Sequence, residues 1–95
     1  MCFVILLLSL HSAAAFNQSK SIDSLLFRLH RHVKKDSIKV NLLNAIGSEY
    51  WIRDANESIR YGEKALQLSE ELSYSPGLAK ANRIIGVAYL SLIHI

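Results

Sequence analysis

The sequence has little cysteine, proline or glycine among its 95 residues. Its single cysteine, Cys2, excludes a disulfide scaffold and a zinc site built on cysteines. One proline and four glycines, beside 51% hydrophobic and 20% charged residues, exclude disorder, collagen and low-complexity linkers. The length suits one small domain or part of a larger one, and it is too short for most enzyme folds.

The first fifteen residues contain no Lys, Arg, Asp or Glu. The run CFVILLLSL that follows Met1 is too short to cross a hydrocarbon core of about 30 Å as a helix. A small-x-small cleavage pattern follows at residues 13–15, so we predict a signal peptide over residues 1–15 and an exported protein. Because no basic residue precedes the run, a different start codon and a buried N-terminal helix stay open as alternatives.

A basic segment follows the predicted signal peptide. Residues 16–39 hold six basic and two acidic residues, a net charge of +4. Such a segment binds nucleic acid or anionic lipid, or it is the solvated face of a helix. An apolar stripe of Leu25, Leu26, Leu29 and Val33 favours the solvated face, so we predict no nucleic-acid partner. The two histidines at 30 and 32 lie on different helix faces and predict no metal site.

The rest of the sequence has helical periodicity and no alternating strand pattern. Asp36 is a predicted N-cap, and Asp54 with Glu57 three residues later resembles a capping box. Pro76, following Ser75, is typical of a first helical turn. The predicted helices cover Ser21–Val33, Ser37–Ile52, Asp54 to about Ser73, and a segment capped by Ser75.

An internal repeat is the most informative feature of the sequence. Residues 44–50 recur as residues 83–89, so that Gly47 and Tyr50 match Gly86 and Tyr89. A glycine inside a helix costs about 1 kcal/mol relative to alanine. Its recurrence predicts that a neighbouring helix approaches closely, with the tyrosine ring filling the space one turn later.

This pattern resembles the tetratricopeptide repeat (TPR) family, whose helix-turn-helix unit of about 34 residues carries Leu-Gly-x-x-Tyr in its first helix. Ile46-Gly47-x-x-Tyr50 matches that element, and Ser58, Gly62 and Ala65 stand at small positions of the second helix. The sequence departs from the family in its longer repeat, a turn one residue short, and Gly62 where an aromatic is commoner. The resemblance covers residues 36–89 and implies an all-α solenoid fragment of antiparallel helix pairs.

The resemblance also divides the chain into segments. It assigns residues 16–35 to an N-terminal helix and basic linker, 36–74 to a TPR repeat, and 75–90 to the first helix of a second repeat. Residues 91–95 are predicted to be a non-native tail, since the final LSLIHI resembles the translated end of a sequencing adapter. Because solenoids need about three repeats, the sequence predicts a gene fragment.

A narrower resemblance concerns residues 22–26 and 39–44, which are similar to the opening of exported TPR sensor proteins of Gram-negative bacteria. In those proteins a periplasmic TPR array precedes a membrane helix and an output domain, commonly a histidine kinase. The resemblance implies a periplasmic or cell-envelope location and a parent protein that continues into a membrane helix.

The sequence contains no Gly-rich phosphate loop, nucleophile elbow or His/carboxylate cluster, so we predict neither enzymatic activity nor a cofactor. The TPR resemblance implies a groove that binds a peptide along the first helix of each repeat. The candidate groove residues are Asn41, Asn44, Ser48, Trp51, Lys80, Arg83 and Val87. The candidate repeat-packing residues are Gly47, Tyr50, Ala65, Gly86 and Tyr89.

Two alternatives stay open within this groove. Trp51 is either a binding hot spot or a side chain packed against the preceding helix. Lys80 and Arg83 either receive an acidic peptide or C-terminus, or form a solvated face, which the sequence alone favours. The predicted function is a non-enzymatic protein- or peptide-binding module of an exported protein. The rival is the periplasmic sensor end of a truncated transmembrane histidine kinase or other signalling protein.

Overall fold

A computed structural model describes residues 21–93, and these residues confirm the all-α prediction because they form four helices and no strand. The predicted signal peptide and its cleavage site lie outside the described residues. So do residues 16–20 of the predicted linker and the last two residues of the predicted tail. The helices are α1 within 21–31, α2 at Ser37–Tyr50, α3 at Ala55–Leu72 and α4 at Ser75–Ile93.

Three helix ends differ from the predicted ones. Residue 31, two positions before Val33, is the last of α1, and α2 ends at Tyr50 because residues 51–53 form a turn. The helix α4 continues past the predicted limit at residue 90 and includes Ile93. Within residues 21–93, no helix is both long and apolar enough to span a bilayer.

Aspartates begin both α2 and α3, as predicted from their positions. The Asp36 carboxylate accepts a hydrogen bond from the Lys39 backbone N–H at 3.1 Å. The Asp54 carboxylate accepts one from the Glu57 N–H at 3.2 Å. The return half of the predicted capping box is absent within the described residues, because the Glu57 carboxylate accepts instead from the Arg60 guanidinium, 2.7 Å away.

A tight turn at Ser73 joins α3 to α4. Ser73 adopts a left-handed conformation with φ 54°, which lets its N–H donate to the Glu70 carbonyl at 3.2 Å. The Tyr74 N–H donates to the Ser69 carbonyl at 2.8 Å, and the two bonds together form a Schellman motif. Since the Tyr74 carbonyl already accepts from the Leu78 N–H, Ser75 is the first residue of α4 and not its cap.

The contacts between α4 and α2 show in which direction each helix runs relative to the others. The Cβ position of Gly77 lies against Val40, and that of Gly47 lies 3.1 Å from Ile84 Cγ2. In each contact, a residue of α2 meets the residue of α4 that lies the same number of positions later in the sequence. Moving along α2 therefore moves in the same direction along α4, so the two helices are parallel neighbours. The two intervening turns reverse the chain each time, which makes α3 antiparallel to both.

The core lies between α2, α3 and α4, and α1 packs at its edge through three partly buried leucines. Val33, from the apolar stripe predicted for the basic segment, is exposed instead, and so are Ile38 of α2 and Leu72 of α3. Val33 lies beyond the end of α1, while Ile38 and Leu72 belong to the terminal turns of their helices, where neighbours end. The buried core cluster consists of Val40, Leu43, Ile46, Tyr61, Ala65, Leu68 and Ala81.

Candidate peptide-binding groove

A groove runs between the last turn of α2 and the first half of α4. Its cavity measures about 550 Å³. Four of the seven predicted groove residues meet there: Ser48 from α2, Trp51 from the turn that follows it, and Lys80 and Arg83 from α4. The lining comprises Ser48, Trp51, Pro76, Ala79, Lys80, Arg83 and Ile84.

The parallel packing of α2 and α4 explains why these residues converge. Gly47 lets the two backbones approach, because its missing side chain leaves room for Ile84, which is fully buried. Residues beside this seam therefore face the same side of the molecule. Ser48 follows Gly47 on α2, and Arg83 precedes Ile84 on α4, so both lie on the groove wall.

The groove presents hydrogen-bond donors and positive charge. Lys80 and Arg83 are exposed, and no carboxylate of residues 21–93 lies within 4.0 Å of either cation. Ser48 Oγ and Trp51 Nε1 are shielded from solvent and have no hydrogen-bond partner within that range. Lys and Arg side chains can only donate, so Lys80 and Arg83 make the groove complementary to an acceptor such as a carboxylate.

Three predicted groove residues have other positions. Asn44 is fully buried, and its Nδ2 donates to the Gly77 carbonyl at 3.1 Å, so it joins α2 to α4 and does not reach the groove. Asn41 is exposed near the start of α2, where its Oδ1 accepts from the Tyr74 hydroxyl at 3.3 Å. Val87 lines an adjacent cavity of about 530 Å³, which Trp51 also borders.

Among the predicted repeat-packing residues, the first copy of the repeat is enclosed. Gly47 is buried, and its carbonyl accepts from the Ser58 hydroxyl at 2.7 Å. The Tyr50 ring stacks on Tyr61 with centroids 5.9 Å apart, and burial raises the pKa of the Tyr50 hydroxyl. Ala65 is fully buried beside them.

The second copy of the repeat is open within the described residues. The Cβ position of Gly86 has no non-local atom within 4 Å, and Tyr89 is 48% exposed. These two residues therefore lack the close helix contact that the repeat predicted for them. The same sequence motif has two environments because α3 and α4 both pack against Gly47 on α2, whereas no described helix reaches the Gly86 Cβ position on α4.

A second cavity, of about 800 Å³, was missed by the sequence reasoning. It lies between α1 and α3, with Leu26, Leu29 and Leu68 on its apolar wall and Lys35 and Lys64 at its margin. The apolar stripe on the basic helix was the signal that could have indicated it.

The described residues offer no metal site, since no three His, Cys, Asp or Glu side chains converge within 21–93. The nearest approach is a pair, His32 Nε2 to Asp36 Oδ1 at 2.8 Å. This hydrogen bond, with a smaller contribution from the Lys39 N–H, lowers the pKa of Asp36. The chain matches no protein-family model, no curated protein and no solved structure.

Proposed function

We propose that the chain is a non-enzymatic, TPR-like module of an exported protein, and that it binds a peptide carrying carboxylates. The observation that carries the proposal is the convergence of Ser48, Trp51, Lys80 and Arg83 on one groove. The export signal and the TPR resemblance in the sequence supply its setting.

The size and shape of the groove support a short ligand. A volume of about 550 Å³ falls within the usual range of ligand pockets, roughly 300–1,000 Å³. Pro76, Ala79 and Ile84 supply apolar contact on one side. The adjoining cavity shares Trp51 and extends the surface toward Val87, which suits an extended peptide better than a compact metabolite.

The chemistry of the groove supports an anionic ligand. Arg83 can bind a carboxylate through two parallel N–H groups, and Lys80 adds a second positive charge. Shielded, unpaired donors such as Ser48 Oγ and Trp51 Nε1 cost about 1–3 kcal/mol each. Neither atom is open to the groove as the side chains stand, so a ligand oxygen recovers that cost only when Ser48 or Trp51 rotates to expose its donor. This gain favours binding over the solvated face that the sequence alone favoured for Lys80 and Arg83.

The test is calorimetric titration of the full chain with an acidic hexapeptide that has a free C-terminus. Arg83→Glu should weaken binding by at least about tenfold, because hydrogen bonds to charged groups contribute about 1.5–3 kcal/mol. Lys80→Glu should act in the same direction. Lys64→Glu, on the exposed side of α3, makes the same charge change elsewhere and is the matched control.

Two results would count against the proposal. One is the absence of saturable heat with the native chain. The other is an equal loss of affinity in Lys64→Glu and Arg83→Glu, which would show that overall charge and not the groove attracts the peptide.

A further inference from the structure

The cavity of about 800 Å³ between α1 and α3 takes no part in the proposed peptide binding. Its volume lies within the usual range of ligand pockets, roughly 300–1,000 Å³. It shares no lining residue with the groove between α2 and α4. A ligand of this cavity can therefore be tested separately from a ligand of the groove.

The wall of the cavity is mainly hydrocarbon. Leu26 and Leu29 of α1 are only partly buried, and each contributes to the lining together with Leu43 of α2 and Leu68 of α3. None of the solvent-shielded side-chain N and O atoms that lack a hydrogen-bond partner within residues 21–93 belongs to this lining. A ligand group in contact with the leucines would therefore find few hydrogen-bond partners, so the wall suits an alkyl chain better than a polar group.

The margin of the cavity is positively charged. The lining includes Lys35, Lys39 and Lys64 and one carboxylate, that of Glu71, which gives a net charge of +2 with the histidines neutral. The Lys64 ammonium lies over the Tyr61 ring, 5.2 Å from its centroid. No carboxylate of residues 21–93 lies within 4.0 Å of Lys35 or Lys39. These two ammonium groups are therefore available to an anionic ligand group.

We propose that this cavity binds a free fatty acid, with its alkyl chain against the leucines and its carboxylate at Lys35 and Lys39. The fatty acid matches both parts of the lining because it carries its apolar chain and its negative charge at opposite ends. A peptide would bring backbone N–H and C=O groups against the leucines and leave them without partners. A membrane surface is flat, whereas this wall is concave, so a single free chain fits it better than lipids within a bilayer.

The test is calorimetric titration of the full chain with dodecanoate and with octanoate, each below the concentration at which it forms micelles. We expect saturable binding, with dodecanoate bound at least about tenfold more tightly because its longer chain removes more apolar surface from water. Lys35→Glu should weaken the binding of dodecanoate by about fivefold or more. Lys34→Glu makes the same charge change at the preceding exposed residue, which lies outside the lining, and should leave the affinity nearly unchanged. Both lysines are exposed, and circular dichroism verifies that the two variants fold alike.

The emission of Trp51 reports where the fatty acid binds. Trp51 lines the groove and not this cavity, so dodecanoate should leave its emission unchanged. Four outcomes would overturn the proposal. Absence of saturable binding would exclude the site, and equal affinity for the two acids would show that the leucines do not contact the chain. Equal weakening by Lys34→Glu and Lys35→Glu would assign binding to the whole basic segment, as expected of an anionic membrane surface. A change in Trp51 emission would place the acid in the groove.

Discussion

Gly77 and Gly86 both lie in α4, and they allow the same substitution to be made in two environments. An alanine Cβ at Gly77 would contact Val40 Cγ1 and lie 2.6 Å from Tyr74 Cδ2 and 2.7 Å from Ser69 Oγ. At Gly86 the same Cβ would meet no non-local atom of residues 21–93 within 4 Å. Comparing the two substitutions therefore distinguishes the effect of packing on stability from the effect of helix propensity, within a single helix.

The expected effects have opposite signs. Gly86→Ala should stabilise the chain by up to about 1 kcal/mol, the propensity difference between glycine and alanine inside a helix. Gly77→Ala gains less because it lies in the first turn, and overpacking costs about 1–3 kcal/mol. Val40 is fully buried, so moving it aside would disturb the core residues packed around it. We expect the two variants to differ by about 2–4 kcal/mol.

The measurement is urea unfolding of both variants and the native chain, followed by helical circular dichroism. Each kcal/mol also corresponds to a shift of roughly 4–8 °C in Tm for a domain of this size, so thermal melts provide a second readout. Equal stability of Gly77→Ala and Gly86→Ala would contradict this expectation, and so would a lower stability of Gly86→Ala.

Two further predictions concern the helix ends. Ser73→Gly should raise the stability to urea by about 0.5–1 kcal/mol, because glycine adopts the left-handed C′ position without steric cost; an unchanged midpoint would contradict this. Asp36, whose pKa is lowered by its hydrogen bond from His32, contributes stability that is present above its unfolded pKa of about 4 and is lost as pH falls through the lower folded value. Asp36→Asn should therefore reduce the acid-induced loss of helicity, and an acid limb identical to that of the native chain would contradict the assignment.

Structural features that depend only on residues close together in the sequence, such as helix starts, could be predicted. Asp36 and Asp54 begin α2 and α3 because a short acceptor side chain satisfies N–H groups two or three residues ahead. The groove was predictable in part, since the repeat makes α2 and α4 equivalent helices of neighbouring units, and the two helices pack in parallel.

The environment of several residues depends on tertiary contacts, which the sequence pattern could not predict. Asn44 lies one turn before Ser48 on the same face of α2 and is equally polar. Its side chain does not reach the groove, because it donates a hydrogen bond to a backbone carbonyl of α4. Gly86 carries the same local sequence signal as Gly47, but α3 and α4 both pack against Gly47, whereas no non-local atom of the described residues lies within 4 Å of the Gly86 Cβ position. A repeat predicts which contacts a residue can make. It does not say whether the partner helix is present.

The most direct measurement of the proposed function uses Trp51, the only tryptophan of the chain, as a fluorescent reporter in the groove. The native chain is titrated with an acidic hexapeptide, and separately with the same peptide in which every carboxyl group is an amide. We expect a saturable change in Trp51 emission with the acid form and at least about tenfold weaker binding of the amide form. Equal titration curves for the two peptides, or an emission unchanged by both, would contradict it.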